Sequence, residues 1–140
     1  MIQKAVLITG TRPTGLKDLS ESLAWHFSPT EEGIIEIDWL FDNCENWEHD
    51  ERTWLAIQPD TKVVIINNLP DYFDYNRLCH IYLKDNFLIE QEGASPIKIP
   101  IPALILTSKY RPRMDVSKVI RKHYSLRPYN NPNEIQRTFL

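Results

Sequence analysis

Apolar residues in this chain fall into two alternating patterns. "KAVLITG" (4–10), "KVVIINN" (62–68) and "ALILTS" (103–108) are short, nearly continuous apolar runs. Runs of that length and β-branched content predict strands buried on both faces. "GIIEID" (33–38) predicts a further short strand. Between the first two runs, Leu16, Leu19, Leu23 and Phe27 recur at helical spacing, so a helix follows the first strand. Glu48 to Ile57 reads as a helix stopped by Pro59-Asp60, and Asp74 to Asp85 as another with Leu78, Ile81 and Tyr82 turned inward. "FLIEQEGASPIKIPIP" predicts a hairpin turning near Gly93-Ala94-Ser95. "DVSKVIRKHY" (115–124) predicts a short basic helix, and an Asn/Pro-rich tail follows Pro128. Strands alternating with helices predict an α/β domain with a mainly parallel sheet and right-handed crossovers.

Composition narrows this picture only slightly. With 140 residues and 42% hydrophobic content, one domain with a real core is expected. No apolar run approaches the roughly 20 residues that span a bilayer. The chain passes into "AVLI" without the basic region and cleavage site of a signal peptide, so a cytoplasmic, intracellular protein is expected. Cys44 and Cys79 are far apart, which argues against a disulfide framework. Cys44, His49, Cys79 and His80 lack the two tight ligand pairs of a structural zinc site, and no metal site is expected there. His26 and His123 are likewise isolated.

Charge changes the picture more. Residues 1–100 carry 17 acidic and 8 basic side chains, whereas residues 101–140 carry 2 and 8. No basic residue lies between Lys17 and Arg52, but 11 acidic ones do. The basic share concentrates in Lys109, Arg111, Arg113, Lys118, Arg121, Lys122 and Arg127. Such a split predicts either an anionic partner for residues 109–127, nucleic acid or an acidic protein surface, or neutralisation within the molecule. Tyr110 and Tyr124 are candidates to stack on bases, although tyrosines more commonly fill core or surface. A solvated basic face is the plainer alternative.

The candidate chemistry begins where the first strand ends. Gly10 is followed, after four intervening residues, by Gly15 and then by a helix. Backbone amides at such a turn, together with a helix N-terminus, form an anion cradle. The triphosphate-loop pattern G-x-x-x-x-G-K-[ST] then requires Lys and Ser or Thr. This chain has Leu16, Lys17 and Asp18. The lysine is one residue late, about 100° around a helix.

Strand, glycine loop and helix, then a strand ending in Asn67-Asn68, then a hairpin, then "IPIPALILTSKYRP" occur in that order. The order resembles the ATPase core of superfamily 3 helicases, replication helicases of small viruses and mobile elements within the AAA+ P-loop class. The resemblance spans about residues 4–113 and rests on eroded motifs, with a degenerate Walker A sequence foremost. It implies a P-loop NTPase-like three-layer sandwich, a mainly parallel sheet flanked by helices with a β-hairpin insertion. That domain would occupy residues 1–128, and residues 129–140 would form a tail. It also implies ATP, with or without Mg2+, at the carboxyl ends of the strands. The residues so implied are Gly10, Thr11, Thr14, Gly15, Lys17, Asn67, Asn68, Thr107 and Lys109. Relatives assemble into rings, so a homo-oligomer or larger assembly is a further implication, with Arg111, Arg113 or Arg121 as candidate inter-subunit arginines.

The departures from the family bear on hydrolysis. Asp18, which follows the late Lys17, lacks the hydroxyl that would hold magnesium, and a carboxylate facing polyphosphate is repulsive. Asn67 and Asn68 replace acids that bind the metal and polarise water; an amide carries no charge and takes no proton at neutral pH. Lys109 replaces the sensor asparagine, and the hairpin offers Glu90 and Glu92 with only Lys98 positive. A non-hydrolysing binding or assembly module is therefore the leading expectation, with no catalytic residue assigned. An active ATPase needs Lys17 to swing inward and Asp71 to hold magnesium. An unrelated α/β enzyme finds no nucleophile elbow or spaced carboxylate pair to support it.

Overall fold

The computed structural model describes residues 5–10, 16–39, 58–76, 78, 86–100 and 102–126. Seven strands and one long helix are present among them: β1 (Ala5–Thr9), α1 (Leu16–Phe27), β2 (Ile34–Asp38), β3 (Val63–Asn67), β4 (Asn86–Gln91), β5 (Ala94–Pro100), β6 (Ala103–Ser108) and β7 (Ile120–Ser125). A single 3₁₀ turn, Glu31–Gly33, leads into β2. Five strands form one sheet in the order β2-β3-β6-β1-β7, and every neighbouring pair is parallel. β4 and β5 form a separate antiparallel hairpin. Among the described residues no helix is long and apolar enough to cross a membrane.

The apolar runs explain the sheet's interior. All five residues of β1 and of β3, and all six of β6, are buried. Such strands must be covered on both faces. One face packs Val6, Ile8, Val63, Ile65, Ala103 and Ile105 against Leu16, Leu19, Leu23 and Ala24 of α1. The opposite face packs Leu7, Val64, Ile66, Leu104 and Leu106 against Leu69, Phe73, Tyr75, Leu78, Val119 and Ile120. Trp39, Phe73 and Tyr75 stack edge to face there, with ring centroids 5.3 and 4.9 Å apart. Burial pushes the Tyr75 phenol up to about 12. Phe27, placed on the inner face by its spacing, is instead over a third exposed at the end of α1.

Where the expected elements fall within the described residues, most are present. β1, α1, β2, β3 and β6 occupy the predicted stretches, with ends moved by one residue or so. The hairpin turns at Glu92-Gly93, with Gly93 at φ 73°, one residue earlier than its sequence centre. Tyr75, Asn76 and Leu78 are helical, Asp74 precedes them outside the helix, and the rest of the expected 74–85 helix lies outside the described residues. So do the expected 48–57 helix, Cys44, His49, Cys79, His80, Glu90's side chain and the tail.

The basic helix expected at 115–124 does not form; its second half is strand β7. Val116, Val119, Ile120 and Tyr124 are spaced as on a helix, and one turn does form, closed by Ile120 N–H donating to Val116 O at 2.8 Å. Strand pairing then takes over. β1 needs a neighbour opposite β6, and β7 supplies it from Ala5↔Ile120 to Thr9↔Ser125. Satisfying that row of backbone groups outweighs the weak intrinsic helix preference of a short segment.

Gly33 shows how tightly the turn into β2 is built. A Cβ at this position would lie 2.2 Å from Ser28 Oγ, which is buried and donates to Thr30 O at 2.7 Å. Gly33→Ala is expected to lower unfolding stability by about 1–3 kcal/mol. Chemical denaturation should show part of that loss recovered in the Ser28→Ala/Gly33→Ala double variant; no recovery would mean that the strain lies elsewhere.

Candidate functional site

The polar residues of the sheet collect at the carboxyl ends of its strands, because the strand interiors are apolar. β3 ends in Asn67 and β6 in Thr107-Ser108, while Gly10 follows β1. The order β3-β6-β1 sets these three ends side by side. Ile8 and Thr9 lie level with Thr107 and Ser108, and Gly10 N–H donates to Ser108 O at 3.0 Å. Leu69 N–H donates to Thr107 O at 2.9 Å, and Ser108 Oγ to Leu69 O at 2.8 Å, so the chain beyond β3 is tied to β6.

Thr107 is the hub of a side-chain network. Its hydroxyl donates to Asn67 Oδ1 (2.9 Å) and accepts the Asn68 N–H (3.1 Å). Asn67 Nδ2 donates to Glu36 Oε1 (2.8 Å), and Asn68 Nδ2 to Asp38 Oδ2 (2.7 Å). Asn68 reaches its acceptor from a left-handed backbone, φ 61°, a conformation that asparagine tolerates better than most residues. Asn67 at the end of β3, through its side chain, and Asn68 just beyond it, through backbone and side chain, thus link a buried hydroxyl on β6 to two carboxylates on β2.

Glu36 and Asp38 escaped the sequence reading. Their alternation in "GIIEID" places both on one face, but only the strand order brings that face beside Asn67. Glu36 also meets Glu21 of α1, and Glu21 lies 3.9 Å from Lys17 Nζ. Partial burial first, then the facing Glu36 carboxylate, hold the Glu21 carboxyl above its usual range, with Lys17 opposing.

The remaining predicted residues that the structure describes do not gather at one place. Thr11, Thr14, Gly15 and Arg127 lie outside the described residues. Leu16, where the triphosphate-loop pattern requires lysine, is buried against the sheet. Lys17 lies in the first turn of α1, its side chain 73% exposed. Lys109 is exposed and lies over the Tyr110 ring, 5.2 Å from its centroid. Arg111 donates to Ser125 Oγ at 2.7 Å. Arg113 makes a two-pronged ion pair with Asp71. Lys118, Arg121 and Lys122 are exposed at and before the outer strand β7.

A second polar contact was also missed, for want of a sequence signal. Thr9, buried, meets His123 Nε2 at 2.8 Å across the β1–β7 pair. Burial, and then the nearby Arg111 guanidinium, hold the His123 imidazole below its ordinary value. Among the described residues no group of three His, Cys, Asp or Glu side chains is placed to hold a metal ion.

Comparison with known proteins adds distant likeness to solved structures alone. No family model matches the chain, and no curated protein does. Among solved structures, one that matches is the apo A form of the NrS-1 C-terminal region, residues 305–718. The identity is 12% and the TM-score 0.47, over 96% of this chain and 32% of that one. The chain thus spans about a third of that structure's length. A likeness at this identity and score assigns no function.

Two measurements probe the network. Thr107→Val strips a hydrogen bond from a buried amide oxygen and from a backbone N–H, so a loss of about 1–3 kcal/mol is expected on urea unfolding. The folded state holds the Glu21 proton more tightly than the unfolded chain, so stability falls as pH rises from the unfolded carboxylate value through the raised one. Relative to the native chain, Glu21→Gln should therefore gain stability at pH 7 and show little gain near pH 3. Thermal melts across pH check the sign.

Proposed function

We propose that the chain is a P-loop-type, three-layer nucleotide-binding domain that has lost hydrolysis and acts as a binding module. The single observation that carries this reading is the insertion of β6 between β1 and β3. It brings Gly10, Thr107 and Asn67 to one end of the sheet, where α1 begins after the Gly10–Gly15 segment. In open α/β sheets ligands bind beyond the carboxyl ends of strands, and a helix start favours a phosphate. α1 covers one face and residues 69–78 with 116–120 cover the other, in keeping with helices and loops layered on both sides.

The loss of hydrolysis is argued from what the alternative would need. An active ATPase requires Lys17 at the phosphates and Asp71 on magnesium. Lys17 faces solvent and Glu21, and Asp71 is held by Arg113. Asn67 spends its side chain on Glu36 and Thr107. Without a hydroxyl after the lysine, a metal-binding acid at the end of β3 or a base for water, several separate contributions to phosphoryl transfer are missing.

Calorimetry with ATP and ADP, with and without magnesium, tests the reading alongside a phosphate-release assay. Saturable binding that magnesium changes little, with no phosphate release above buffer, is expected. Lys17→Ala should weaken binding less than about tenfold, because an exposed ammonium contributes little. Absence of binding would remove the nucleotide site. Magnesium-dependent turnover lost in both Lys17→Ala and Asp71→Asn would establish the active ATPase instead.

A further inference from the structure

The sheet order separates the two charge populations of the chain. Among the described residues β2 and β7 are its outer strands, four strand spacings apart. At about 4.8 Å each, that is about 19 Å, well beyond the screening length of about 8 Å at physiological salt. Neutralisation of the β2 side by the β7 side of the same molecule is therefore weak. The β2 side carries Glu31, Glu32 and Glu36, with Lys62 beside Gly33; the β7 side carries Lys118, Arg121 and Lys122, with Asp115 near Lys118; all these charged residues are exposed.

The register makes the two sides complementary. Glu36 pairs with Ile65, Ile65 with Ile105, Ile105 with Val6, and Val6 with Lys122. Glu36 and Lys122 thus stand on one rung, at opposite ends of it. The three residues between them all pack on the α1 face, so both charges belong to that face. Glu31 and Glu32 precede β2, as Lys118 precedes β7, toward the amino ends of the strands. A copy displaced sideways along the rung, without slipping along the strands, brings its Lys122 to the first copy's Glu36.

We propose that the chain associates head to tail with further copies of itself, the basic β7 edge of one meeting the acidic β2 edge of the next. The proposal stands independently of nucleotide binding. Like edges repel, so β7–β7 and β2–β2 contacts are disfavoured, and a heterologous contact is selected. A cation delivered to Glu36 also offsets the Glu21–Glu36 repulsion. Nucleic acid is the competing occupant of β7. Against it, successive strand residues point to opposite faces, so Arg121 and Lys122 cannot line one phosphate track. An edge-on partner reaches both.

Sedimentation velocity of the full chain across concentration tests this. Mass should grow with concentration at low salt and return to the 16.5 kDa monomer at high salt. Arg121→Glu/Lys122→Glu alone, and Glu31→Lys/Glu32→Lys alone, should each abolish growth, while an equal mixture of the two should restore it. Circular dichroism establishes that each variant is folded, and Glu36→Lys with Lys122→Glu in one chain provides a second exchange on the shared rung. A wild type that stays monomeric at low salt overturns the proposal. So does association indifferent to both reversals, or a monomer that retains an oligothymidylate released by the β7 reversal.

Discussion

Burial of β1, β3 and β6 on both faces is the constraint from which the rest of the structure follows. Sixteen consecutive-strand positions in these three elements are closed to water, and each fully buried aliphatic side chain contributes about 1.5–3 kcal/mol. A parallel sheet covered on both sides leaves no room for polar groups in its middle. Hydroxyls, amides and carboxylates are driven to the strand ends, where they must satisfy one another or meet solvent. The Glu36–Asn67–Thr107–Asn68–Asp38 network is that requirement met. It also sets the chemistry available, because an amide already bonded to a carboxylate and a hydroxyl has little left to offer a ligand.

This explains which parts were legible in the sequence. The doubly buried strands announce themselves as continuous apolar runs, and α1 through Leu16, Leu19 and Leu23, since burial and pattern are two views of one fact. The hairpin was legible because Gly93 adopts a positive φ that its turn requires. Strand β7 was not legible. It is an outer strand with Arg121, Lys122 and His123 exposed in succession, so it lacks both the continuous apolar run and the strict alternation that mark strands. Its helical turn at Val116–Ile120 is real, and only the demand of β1 for a second neighbour ends it.

The candidate site was legible in part for a related reason. Gly10, Asn67 and Thr107 each stand out at the end of an apolar run, and such ends share one side of a parallel sheet. What local pattern cannot carry is which ends are neighbours. Glu36 and Asp38 gain their meaning from β2 lying beside β3, and Thr9 from His123 reaching it from the neighbouring strand β7. Both are facts of strand order. Neither has a counterpart in spacing along the chain.

Strand order has a consequence on the larger scale as well. An acidic first half and a basic last third would cancel if the chain folded back on itself, bringing residues 31–38 beside 118–125. Here β3, β6 and β1 are interposed, and these three strands are apolar and dry. The insulating core that holds the fold together is thus also what keeps the charges apart. Among the described residues, strand order thus leaves an excess of acidic side chains on one side of the sheet and of basic ones on the other, although the chain's net charge is only -3. Whatever seats on either edge must supply the missing sign. An identical chain carries both signs at matching rungs, which no other partner is obliged to do.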